Sequence, residues 1–204
     1  MGTYLVGVGA QEWFGAGGET AEEEEEDGWV GKVASALNEE LRRRGLPPYD
    51  SVPEAAQFVR GSGLLFEEKL VPRVDGFIAL CRTHLSREEE ELLAGWTVLV
   101  PLSLDEPIRL PVAASCTDES VVGGAPQALA LAERLAAAVE LPDEVPEACD
   151  NLDLTTWFLD GPAKKAAAAR PGPWSEDLDA AFYVALYLRA AQFVLRRGCP
   201  VVCS

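Results

Sequence analysis

Apolar residues fall along this chain as short runs and helical stripes separated by acidic, glycine-rich or proline-rich stretches. Residues 3–10, TYLVGVGA, predict a first strand. Over 28–44, Trp29, Val33, Leu37 and Leu41 recur on one face and Val30 and Ala34 widen it, the spacing of an amphipathic helix. Arg42, Arg43 and Arg44 in its last turn complement the helix dipole, and Gly45 supplies a stop. Three prolines make 46–53 a rigid loop that exposes Tyr49 and Asp50. The next stretch predicts a short helix near 53–59, a break at Gly61–Gly63 and a second short element at 64–71.

The pattern centres on 74–102. Phe77, Ile78, Ala79, Leu80 and Cys81 form an apolar run that suits an inner strand. Ser86 is followed three residues later by Glu89, the signature of a capping box. Glu88 to Glu91 then lie where a helix start favours anions, with Leu92 and Leu93 inward and Gly95 at the end. Trp96, Val98, Leu99, Val100 and Leu102 predict a second strand. The unit reads as β–α–β, with the chain's one histidine, His84, where strand passes to helix.

Beyond it, Ile108, Leu110 and Val112 alternate with Arg109 and Pro111, which predicts an edge strand because proline cannot donate to the ladder. Residues 115–125 read as a linker. Pro126 opens a helix over 126–139, with Leu131, Leu135 and Val139 stacked at four-residue spacing. Residues 140–156 are acidic and proline-broken and predict a surface loop, docked by Trp157 and Phe158. Lys164 to Arg170 allows a turn or two of helix. Ser175 is a candidate N-cap for a long last helix, ended by Arg196, Arg197 and Gly198. Leu178, Phe182, Leu186 and Phe193 line one of its faces, and Val184, Leu188, Ala191 and Leu195 line another. A helix so widely apolar is buried or packs on a partner, and self-association stays open on that ground.

These elements predict one compact domain over 1–204, of α/β or α+β class. A mixed β-sheet of about four strands is flanked by helices, and an acidic Gly/Glu-rich loop occupies 15–28.

Charge narrows the function classes. The chain carries 34 acidic and 17 basic residues, a net charge of −17, which disfavours nucleic acid and anionic membranes. No continuous apolar run reaches the roughly 18 residues of a membrane span, and the N-terminal stretch has no basic region leading into an apolar one. A cytoplasmic location is expected. The five cysteines, Cys81, Cys116, Cys149, Cys199 and Cys203, are odd in number and sparse, unlike a disulfide framework.

Candidate chemistry is thin. Gly7, Gly9, Gly15, Gly17 and Gly18 do not match the spacing of a dinucleotide or phosphate loop, and 10–14 do not read as a tight turn into a helix. His84 is the natural acid or base. In a strand Cys81 and His84 point to opposite faces, so Cys116, with Asp118 to orient the imidazole, is the better partner. That set describes a small hydrolase or transferase. No C-x-x-C pair supports zinc at His84 and Cys116, and no cofactor is implied. The block Glu22, Glu23, Glu24, Glu25, Glu26 and Asp27 repels itself and stays solvated. It fits an electrostatic lure for a basic protein. The preferred expectation is therefore a soluble acidic protein-binding domain, such as an inhibitor or immunity-type protein against a basic toxin or nuclease.

Overall fold

A computed structural model describes residues 2–15, 28–115 and 117–204. Its centre is a mixed sheet built from β1 (Tyr4–Gly7), β2 (Glu67–Lys69), β3 (Val98–Val100), β4 (Ile108–Leu110), β5 (Ser120–Gly124) and β6 (Val201–Cys203). The strand order is β2-β1-β6-β3-β5-β4. Among the described strand pairs only β3 and β5 run parallel; β6 enters antiparallel between β1 and β3. The α/β class and the mixed sheet stand as expected, but six strands replace about four.

Helices cover both faces. On one lie α1 (Ala10–Phe14) and α2 (Trp29–Arg43), packed on Val98, Val100 and Val202. The other carries α3 (Asp75–His84), α4 (Arg87–Ala94), α5 (Ala125–Ala138), α6 (Asp153–Leu159), α7 (Pro162–Ala169) and α8 (Leu178–Arg197). Leu5, Leu99 and Val201 point into this second layer. The alternation of Val98, Leu99 and Val100 between two buried faces explains why β3 reads as a continuous apolar run rather than as an alternating one.

Helix α8 is the spine of the second layer. Asp177, not Ser175, caps it: its carboxylate accepts from Ala180 N at 2.9 Å. Ser175 instead closes a short 3₁₀ turn, accepting from Gly172 N and donating to Gly172 O. At 20 residues and a mean hydropathy of 1.3, α8 is long and apolar enough to cross a membrane, and 67% of that stretch is buried within this fold. Gly198 ends it with φ 70°, a conformation that favours glycine.

The largest correction falls at 77–81. This run is not a strand but the body of α3. Phe77 and Cys81, four residues apart, are buried together while Ala79 between them is exposed. The unit is helix–helix–strand, not β–α–β. The capping box is present as expected: Ser86 accepts from Glu89 N and Glu89 accepts from Ser86 N.

Smaller corrections follow the same logic. The supposed linker contains β5, where Gly123 lets Trp96 pack against the strand; an added Cβ would lie 3.0 Å from that side chain. No helix forms near 53–59. Tyr49 is buried rather than exposed, and its hydroxyl donates to Gly198 O at 2.7 Å. Within 140–156, α6 begins at Asp153, so Trp157 and Phe158 dock as part of a helix. The C-terminal PVVC, read only for its cysteines, supplies an inner strand.

Candidate functional site

The first strand ends in a tight turn into α1, contrary to the expectation for residues 10–14. The turn is nonetheless no phosphate cradle. Val8 N donates to Pro200 O and Ala10 N to Pro53 O, each at 2.9 Å. A Cβ on Gly9 would meet the backbone of Ala55 at 2.5 Å, so this glycine accommodates a crossing chain and not a ligand.

His84 is the last residue of α3 and is exposed. Because 81–84 is helical, Cys81 and His84 lie near one another along the helix instead of on opposite faces of a strand. They still face different surroundings. Cys81 has no exposure, and burial, with Glu90 nearby, pushes its thiol up to about 12. A thiol held protonated is a poor nucleophile. The His84 carbonyl accepts from Arg134 at 3.2 Å, and Arg134 also holds Glu89 at 2.7 Å, which ties the corner between α3 and α4 to α5.

Asp118 is exposed in the loop between β4 and β5. That loop is fastened elsewhere: Ser115 Oγ donates to Cys203 O at 2.9 Å, and Thr117 Oγ1 to Glu119 O at 2.6 Å. Arg109 joins Glu119 at 3.0 Å and also reaches Glu91 on α4. Among the described residues, no hydrogen bond or ion pair joins the His84 side chain to Asp118. Cys116 lies outside the described residues, as do Glu22, Glu23, Glu24, Glu25, Glu26 and Asp27.

The most unusual polar group is one the sequence reading passed over. Glu68 on β2 has no solvent exposure. Its carboxylate receives Leu154 N at 2.7 Å, Thr155 N at 2.8 Å and the Thr155 hydroxyl at 2.6 Å. Burial pushes its pKa up, and the Thr155 and backbone donors oppose that rise. The signal was present in LFEEKL: strand alternation puts Glu68 on the same side as Phe66 and Leu70. Asp150, also buried, accepts from Gly63 N at 3.0 Å and Leu65 N at 3.1 Å and so holds the Gly-Ser-Gly bend against the start of α6. Both acids organise backbone.

A recess lies between α3 and α4. Helix α3 packs on α8 and α4 packs on α5, so the two diverge from their corner at Leu85 and Ser86. The recess has a volume of about 900 Å³. Phe77 and Tyr187 form its aromatic floor, stacked at 5.3 Å, and Trp96 meets Tyr187 edge-on at 5.8 Å. Arg82, Arg87, Glu90 and Glu91 stand around it. Among the described residues, no group of three or more His, Cys, Asp or Glu side chains is placed to hold a metal ion.

No protein-family model, curated protein or solved structure gives a significant match to this chain.

Proposed function

We propose that the chain is an acidic protein-binding domain of the cytoplasm that recognises a basic protein, in the manner of an inhibitor or immunity-type protein. The observation that carries this reading is the net charge of −17 on 204 residues, with six consecutive acids at 22–27. The described ion pairs support it. Arg43, Arg44, Arg109, Arg134 and Arg170, five of the 17 basic residues, each pair with a glutamate and are locally neutralised. The acids in excess then set the sign of the surface field, which steers a cationic partner and repels an anionic one. A hydrolase or transferase built on His84, Cys116 and Asp118 is not adopted, because no described contact joins His84 to Asp118.

Affinity capture from the source cell at low and at high salt tests the proposal. Basic proteins should be retained at low ionic strength and released as the Debye length shrinks from about 30 Å at 0.01 M salt to about 3 Å at 1 M. A retained set with no basic bias, or one indifferent to salt, would remove the electrostatic basis of the reading.

A further inference from the structure

The recess between α3 and α4 has a feature that the acidic surface does not explain. Arg82 and Arg87 both line it, on either side of the Leu85–Ser86 corner. Acids outnumber bases two to one in this chain, yet no ion pair or hydrogen bond engages either guanidinium among the described residues. The local sequence explains why. Arg82 has no acid three or four residues away on either side. Arg87 has Glu90 at i+3 and Glu91 at i+4 and attracts the neighbouring Glu88, but Glu91 is held by Arg109, and an arginine N-terminal to its glutamate is the weaker orientation on a helix. Two guanidiniums are thus left beside an aromatic floor. The Tyr187 hydroxyl adds a third donor at that floor, without a hydrogen-bond acceptor among the described residues. The recess volume lies within the roughly 300–1,000 Å³ of small-molecule sites.

We infer that this recess binds a small aromatic monoanion, its ring system laid against Tyr187, behind which Phe77 is buried, and its anionic head between Arg82 and Arg87. Guanidinium groups suit such a head because their planar donors match carboxylate and sulfonate oxygens. Glu90, one turn along the same helix from Arg87, also lines the recess and limits the ligand to one negative charge, since a second would meet a carboxylate.

The test uses two fluorescent probes with the same aromatic body, 8-anilinonaphthalene-1-sulfonate and the uncharged N-phenyl-1-naphthylamine. Both are titrated into the full chain at about 0.15 M salt, where the field of the distant acids is screened beyond about 8 Å. The sulfonate should bind at one site, about tenfold or more tighter than the neutral probe, the range of a charge-assisted hydrogen bond. The double variant Arg82→Gln/Arg87→Gln should bring the two affinities together and leave the neutral probe unchanged. Both arginines are exposed, so circular dichroism should show an intact fold. Arg60→Gln, which removes one exposed arginine away from the recess, should change neither titration. Equal binding of the two probes by the wild type, or a sulfonate affinity that survives the double substitution or falls as far with Arg60→Gln, would overturn the assignment.

Discussion

Glu68 shows how one residue organises a region of the fold. It is a buried carboxylate met by the Leu154 and Thr155 amides and the Thr155 hydroxyl, with the Cys149 thiol also against it, and by no ion pair among the described residues. Replacing it with alanine leaves the Leu154 and Thr155 amides buried without an acceptor, each costing about 1–3 kcal/mol. Glu68→Ala should therefore lower unfolding free energy in urea by about 2–5 kcal/mol. Glu68→Gln keeps one acceptor oxygen and should cost roughly half as much. The pH dependence has a definite sign. Burial raises the folded pKa above its ordinary value of 4.5, so the folded state holds the proton more tightly than the unfolded chain. The contribution is fully present below 4.5 and is lost as pH rises through the folded value. Urea titrations across that window should show a downward slope in the wild type that is flatter in Glu68→Gln. Equal slopes would mean that another group sets the pH dependence.

At the scale of elements, helices with a clear period were legible and very short strands were not. The stripe of Val33, Leu37 and Leu41 placed α2 to within a residue at each end, because one face of that helix meets the sheet and the other meets solvent. The capping box placed α4 in the same way, since Ser86 and Glu89 satisfy backbone amides locally. Ser86→Ala should cost about 1 kcal/mol, measured as a lower urea midpoint at an unchanged m-value. The error at 77–81 has a physical source: a contiguous apolar run suits either a buried strand or a helix, and Val74, Phe77, Ile78 and Cys81 already carried the helical spacing. Strands β2 and β6 have three residues each, too few for any period to show. Their pairing partners lie far away in sequence, β6 between β1 and β3. The same topology makes the C-terminal segment indispensable. Deleting 199–204 removes an inner strand and the packing of Val201 and Val202 on both layers. The truncated chain should lose cooperative thermal unfolding. A truncated chain with a wild-type transition would contradict the strand order.

The candidate site was less legible than the fold, for a reason that applies to the whole molecule. His84 drew notice as a rare residue type, but rarity carries no geometry, and the helix that bears it leaves it exposed at its C-terminal end. The recess between α3 and α4 depends on two helices diverging toward different partners, α8 and α5, which no local pattern encodes. Net charge, by contrast, needs no coordinates: −17 follows from composition and acts over the whole surface. The most direct measurement is the salt dependence of binding to the captured basic partner. It compares the wild type with a variant in which Glu22, Glu23, Glu24, Glu25 and Glu26 are glutamine and Asp27 is asparagine. The variant should bind more weakly at low salt, mainly through slower association, and its affinity should fall less steeply as salt is added. Identical affinities and identical salt slopes for the two proteins would contradict the proposal that this acidic block draws in a basic partner.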